Sequence, residues 1–183
     1  MQMAESAPAG LECALLGLLR GAPTHAYELH QRLARAEALG LVWHLKQSHL
    51  YALLTRLEEA GYLAVAMEPQ GARPPRKMLS LTPAGRDAFA RWATEPVAHG
   101  RDFRLEFLAK LYFAATEGPA AVAVLVERQR VACTAWLADL RAESARLGDD
   151  QPYARLVLGF RSSQIEAILA WLGTCAATLD ASS

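Results

Sequence analysis

The sequence predicts a mainly α-helical protein with a small β-hairpin wing: a winged helix-turn-helix followed by a C-terminal region of long dimerisation helices. Three observations carry that prediction. KQSHLYALLTRLEEAGYL (residues 46–63) repeats Leu50, Leu53, Leu54 and Leu57 at the three-and-four spacing of one helix face. RKMLSLTPAGR (residues 76–86) reads as a strand running into a Thr-Pro helix start. Beyond Pro96 the chain holds two long apolar-striped segments separated by a break at residues 148–152.

Each element has a local cause. Residues 11–20 form a first helix through Leu11, Leu15, Leu18 and Leu19, closed by Gly21. Thr24 caps a second helix over residues 25–38, buried through Tyr27, Leu29 and Leu33. Residues 40–46 are the connecting turn, with Leu41, Val42 and Trp43 filling the core. The third helix spans residues 47–60, and Gly61 stops it in a left-handed conformation. Leu63, Val65 and Met67 alternate as a half-buried strand. Pro69, Gly71, Pro74 and Pro75 break the ladder into a loop, after which Lys77, Leu79 and Leu81 alternate again. Thr82 and Pro83 open a fourth helix that runs to Thr94.

The remainder is helical. Phe103, Phe107, Leu108, Leu111 and Tyr112 make a stripe stopped by Gly118 and Pro119. Residues 120–147 form one helix of roughly 40 Å, apolar at Val122, Leu125, Ala132, Trp136, Leu140 and Leu147 and interrupted by Gln129. A last helix over residues 153–179 carries Leu156, Phe160, Ile168, Leu172, Cys175 and Leu179 on one side. Two such helices imply an antiparallel pair that buries its seam against a partner subunit, through Leu125, Ala132, Leu140, Leu156, Ile168 and Leu172. The expected organisation is a disordered arm at residues 1–10, a winged domain at 11–94 and a helical dimerisation and effector-response region at 95–183.

With 183 residues, 52% hydrophobic and 21% charged, the chain can hold one ordinary domain or two small ones sharing a core. No apolar run approaches the roughly twenty residues of a membrane span. The first ten residues lack a secretion-signal pattern. Cys13, Cys133 and Cys175 are odd in number and far apart, as in a cytoplasmic protein without a disulfide framework. The formal net charge is zero, yet residues 1–94 hold ten Lys/Arg against eight Asp/Glu, and residues 95–183 nine against eleven. Residues 69–86 concentrate Arg73, Arg76, Lys77 and Arg86 with no acid, a modest positive patch.

At roughly 100° per residue, the face of the third helix opposite its leucines holds Ser48, Ala52, Thr55 and Glu59. Tyr51 flanks that face on one side, His49 and Arg56 on the other. N-terminal turns of a recognition helix read base edges, which selects Ser48, Tyr51, Ala52 and Thr55, with Lys46 and Gln47 where the helix begins. Arg73, Arg76 and Lys77 on the wing reach phosphate or the minor groove. An ordinary solvated helix face and hairpin tip is the competing reading. No catalytic constellation, metal site or cofactor site accompanies these residues. His25 and His30, like His44 and His49, are five apart, which points their rings about 140° apart on a helix, and no CxxC or HExxH is present. Tyr112, Trp136, Phe160 and Trp171 are the candidate lining of an effector pocket, against the competing reading of core packing.

Taken together, LLGLLRGAPTHAYEL (residues 15–29), SHLYALLTRLEEAGYL (48–63) and PRKMLSLTPAGRDAFARW (75–92) resemble the PadR family of transcriptional regulators. RLEFLAKL (104–111) and Trp171-Leu172 match more loosely. The resemblance implies a bacterial homodimer joined by its C-terminal helices, binding a pseudo-palindromic DNA operator and responding to a small-molecule effector. By analogy, Thr24, His25 and Tyr27 at the second helix also lie against DNA. The chain departs from the family pattern at Ala26, where glycine is usual, and at Met78 and Leu79, where aromatics are usual. The resulting expectation is a homodimeric repressor released from double-stranded DNA by a small hydrophobic ligand. The alternative is a winged-helix protein-interaction adaptor without DNA binding, favoured by the neutral charge and by Glu58 and Glu59.

Overall fold

The computed structural model describes residues 8, 10–35, 37–43, 45–70 and 73–180. The elements in chain order are α1 (Gly10–Leu18), α2 (Ala26–Arg35), α3 (Glu37–Val42), α4 (Gln47–Glu59), β1 (Leu63–Gln70), β2 (Arg73–Leu81) and α5 (Pro83–Thr94). A 3-10 turn (Gly100–Asp102), a π-helical turn (Phe103–Phe107), α6 (Leu108–Glu117), α7 (Pro119–Ala145) and α8 (Pro152–Asp180) follow. The arm expected at residues 1–10 lies outside the described residues except for Pro8 and Gly10, and Gly10 already belongs to α1. Gly71 and His44 lie outside them too. The chain divides into two compact units: the first runs to Thr94 and includes Leu108–Phe113, and the second comprises Glu95–Phe107 and the chain from Ala114.

The first unit is organised by leucines. Leu15, Leu16, Leu29, Leu39, Leu50 and Leu57 are fully buried in one cluster. Leu50, Leu53, Leu54 and Leu57 face inward on α4 as their spacing requires. Gly61, at φ 76°, turns the chain into β1. Thr82 caps α5: its Oγ1 accepts from the Gly85 amide at 3.0 Å and donates to the Gly61 carbonyl at 2.7 Å. That hydroxyl locks the wing between α4 and α5.

Three expectations for this unit are corrected. Residues 37–42 form a short helix instead of belonging to a long α2 and a turn, because Leu39 buries itself completely in the core. Leu41, expected as a core plug, is 86% exposed on that helix, and Tyr27 is also exposed. The prolines do not end the ladder: β1 and β2 pair from Leu63↔Leu81 through Glu68↔Arg76 to Gln70↔Arg73, with a register shift between Glu68 and Gln70. In a two-stranded sheet both strands are edges, so a proline that cannot donate is accommodated at the irregularity.

In the second unit α7 and α8 form a helical hairpin. Val122, Leu125, Val126, Cys133, Leu137 and Leu140 of α7 are buried, as are Leu158, Ile165, Leu172 and Cys175 of α8. Phe103 and Phe107 stack at 4.4 Å and meet the edge of Trp171 at 5.7 and 6.2 Å. Arg141 reaches Glu166 across the hairpin at 2.8 Å. Burial pushes the Cys133 and Cys175 thiols above their ordinary range, and the Gln129 amide only partly opposes this at Cys133. Both thiols are therefore poor nucleophiles.

Gln129, which interrupts the stripe in sequence, is fully buried within it. Its Oε1 accepts the Val97 amide at 2.9 Å, and its Nε2 donates to Cys133 Sγ at 3.5 Å. A buried amide left without an acceptor costs about 1–3 kcal/mol. Gln129→Leu is therefore expected to lower stability by about that amount, read as a lower urea midpoint at unchanged slope. An unshifted midpoint would show that Val97 finds another acceptor.

Candidate nucleic-acid interface

The backbone of Thr24 is the first positioning device. Its N–H donates to the Leu79 carbonyl at 3.0 Å, and the Leu79 N–H returns a bond at 2.8 Å, adding a one-residue bridge to β2. This fixes the start of α2 against the wing. The Thr24 side chain is fully buried, so its expected place against DNA is corrected. Its hydroxyl lies near enough to Glu28 to help Arg32, the dominant influence at 2.6 Å, hold that carboxyl below its usual range. It nevertheless makes no hydrogen bond of good geometry.

His25, next in the chain, links the same two elements. Its Nδ1 lies 3.4 Å from the Lys77 carbonyl and its Nε2 lies 3.5 Å from an Arg76 guanidinium nitrogen. Both contacts fit one neutral tautomer that donates through Nδ1 and accepts through Nε2. Tyr27 projects from the first turn of α2 and accepts from Gln31 Nε2 at 2.8 Å.

On α4, Gln47, Ser48, His49, Tyr51, Ala52, Thr55 and Arg56 are exposed, as is Lys46 just before the helix. Lys46 gives the helix no side-chain cap, leaving the first amides of α4 open at its N-terminus. Two of these side chains have prior engagements. The Thr55 hydroxyl donates to the Tyr51 carbonyl at 3.1 Å, which leaves its methyl and lone pairs outward. Arg56 pairs with Glu12 at 2.6 Å across 44 residues, so it is tied to α1.

The three elements meet in one concavity of about 600 Å³. His25 and Tyr27 line it from α2, Tyr51, Thr55 and Glu58 from α4, and Arg76 and Lys77 from β2, over a floor that includes Leu54 and Leu79. Ser48, His49, Ala52 and Arg56 lie outside this concavity on α4, and Arg73 stands at the start of β2. Glu58 is the lining residue that the wheel of α4 did not select, because it falls between the outward face and the leucine stripe.

The four aromatics expected to line one effector pocket are not gathered. Tyr112 packs edge-on to Phe113 in the first unit. Trp171 packs on Phe103 and Phe107, while Phe160 is exposed on α8. Trp136 lines a cavity between α7, α8 and residues 98–101. The expected subunit interface is also corrected. Leu125, Leu140 and Leu172 are buried inside the α7–α8 hairpin and unavailable to a partner, whereas Leu156 is fully outward and Ala132 and Ile168 are half-buried. Leu158, Ile165 and Leu172, seven residues apart, form the packed face of α8.

Among the described residues no group of three His, Cys, Asp or Glu side chains is arranged to hold a metal, and no helix is long and apolar enough to cross a membrane. Helices packed behind an outward α4, with a two-stranded hairpin beside it, define a winged helix-turn-helix. The profile of the transcriptional regulator PadR-like family matches residues 15–91, and a virulence activator alpha C-terminal profile matches residues 103–180. Residues 15–91 thus match a family described as PadR-like transcriptional regulators.

The negative transcriptional regulator PadR of Bacillus subtilis (strain 168) is 30% identical over 103 residues, 56% of each chain. A probable transcriptional regulator of Mycobacterium tuberculosis is 30% identical over 78 residues, 43% of this chain and 40% of that one. The chain spans about half the length of these curated relatives. Among solved structures, Bacillus subtilis PadR in complex with operator DNA aligns at 26% identity over 93% of this chain and 99% of that one, with a TM-score of 0.46. The same protein in complex with p-coumaric acid aligns at 25% identity over 94% and 99%, with a TM-score of 0.42.

Proposed function

We propose that the protein is a homodimeric DNA-binding repressor that sits on a pseudo-palindromic operator and leaves it when a small ligand binds. The observation that carries this reading is the single concavity in which His25, Tyr27, Tyr51, Thr55, Arg76 and Lys77 converge from three elements. Aromatic and hydroxylic groups line it from α2 and α4 and cations from the wing, the division of labour between base edges and phosphates. The uncapped N-terminus of α4 beside it suits a phosphate. Tyr153, Leu156, Val157 and Phe160 leave an apolar surface on α8 that a second copy would cover. A ligand releases DNA only by binding the two dimer geometries unequally.

The test is a mobility shift with the DNA upstream of the protein's own gene. Tyr51→Ala should weaken binding with little change in salt dependence. Arg76→Ala should weaken it and reduce the slope of log affinity against log salt by about 0.9, one phosphate contact. Both variants should keep the parent's circular dichroism. Parental affinity in both would sink the site assignment. Glu58 in the concavity favours the alternative, a protein-interaction adaptor, and a blank shift at low salt would select it.

A further inference from the structure

The cavity beside Trp136 lies wholly within the second unit and has a volume of about 370 Å³, the size of many small-molecule sites. Its two walls carry opposite charge. Trp136, Asp139 and Glu143 lie on one face of α7 at steps of three and four. Arg161 and Gln164 face the same space from α8, and Arg101 from the 3-10 turn. Leu140 and Ile165, both buried, form the floor.

One turn away, α7 and α8 pair directly through Arg141 and Glu166 at 2.8 Å. At the cavity the charges stand apart. Among the described residues Asp139, Glu143 and Arg161 make no ion pair, and Arg101 reaches only its neighbour Asp102, at 3.7 Å. Gly100 shapes the third wall: a Cβ there would stand 3.0 Å from Ile165 Cδ1, so the loop lies close over the floor.

The geometry points to a binding site for a small amphoteric aromatic, a molecule carrying an ammonium group at one end and a carboxylate at the other. The ammonium sits between the Trp136 face and the carboxylates of Asp139 and Glu143. The carboxylate takes the Arg161 guanidinium in a charge-assisted pair. The ring covers Leu140 and Ile165. A purely hydrophobic ligand would pair with neither charged wall, and a singly charged one with only one of them. This ligand deepens the effector role proposed above and rests on that reading for its regulatory meaning.

Calorimetric titration of the full chain without DNA tests the site separately, using L-phenylalanine, phenethylamine and 3-phenylpropanoate as probes. Phenylalanine should bind about tenfold tighter than either singly charged probe. The Asp139→Asn, Glu143→Gln double variant should abolish its advantage over phenylpropanoate, and Arg161→Gln its advantage over phenethylamine. Equal affinity for the three probes, an unchanged preference in both variants, or no saturable binding would each overturn the site. Failure here with DNA binding intact leaves the regulator reading standing. Ligand binding without any DNA shift removes that reading and keeps the site.

Discussion

Leu156→Glu combined with Phe160→Glu is expected to convert the proposed dimer into a folded monomer and to reduce affinity for the proposed operator by about 10²–10⁴-fold. The two side chains are 73% and 67% exposed in the single chain and stand one turn apart on α8. Neither is needed by the hairpin, whose packed face is Leu158, Ile165 and Leu172. Charge on the outward face should therefore leave helicity and melting of the isolated chain nearly unchanged while placing like charges opposite each other across a twofold interface. The loss on DNA follows from linkage: with two half-sites engaged, the second contact is intramolecular, and a monomer forfeits that effective concentration. Sedimentation equilibrium checks the first step and a mobility shift the second. A variant that still sediments as a dimer would place the interface elsewhere.

The same helix shows where sequence reading stops. Apolar residues of α8 fall on two faces, Tyr153, Leu156, Val157 and Phe160 on one and Leu158, Ile165 and Leu172 on the other. Periodicity reveals that such a helix exists but cannot phase it, so the expected stripe mixed Leu156 and Phe160 with Leu172. Gln129 posed a related difficulty: its partner is the amide of Val97, 32 residues away, and polarity alone reads as a break in the stripe. Elements with local causes were legible. Gly61 ends α4, Thr82 and Pro83 begin α5, and the leucines of α4 fix which side faces outward. In the candidate site, α4 and the wing were readable because exposure follows from helix phase and strand edge. Burial of Thr24 was not, since it arises from a backbone bridge to Leu79, 55 positions further on. The short α3 escaped for a third reason: Gly40 lies within it, and the turn signal concealed the pull of Leu39 into the core.

Gly85→Ala should be the most destabilising single methyl in the first unit. Gly85 sits in the first turn of α5, where its amide is held by the Thr82 cap and the helix start is fixed against the wing. An added Cβ would lie 2.2 Å from the carbonyl oxygen of Tyr62, and that carbonyl also accepts the Thr82 amide at 3.1 Å. The obstacle is backbone, so no rotamer change relieves it: α5 must move away from the segment that joins α4 to β1. Gly17 offers the contrast. Its Cβ would meet the Phe89 and Phe113 rings at 2.5 Å, a severe clash, but with side chains that can shift within the core. Overpacking of this kind costs typically about 1–3 kcal/mol. Gly85→Ala is expected at or above the upper end and Gly17→Ala below it, with melting temperatures ordered accordingly. Because the shift at Gly85 moves the wing relative to α4, it should also dilate the concavity between Tyr51 and Arg76 and weaken DNA binding even at temperatures where the variant is fully folded. A melting temperature for Gly85→Ala equal to the parent's would mean that the α5 start yields without disturbing the wing.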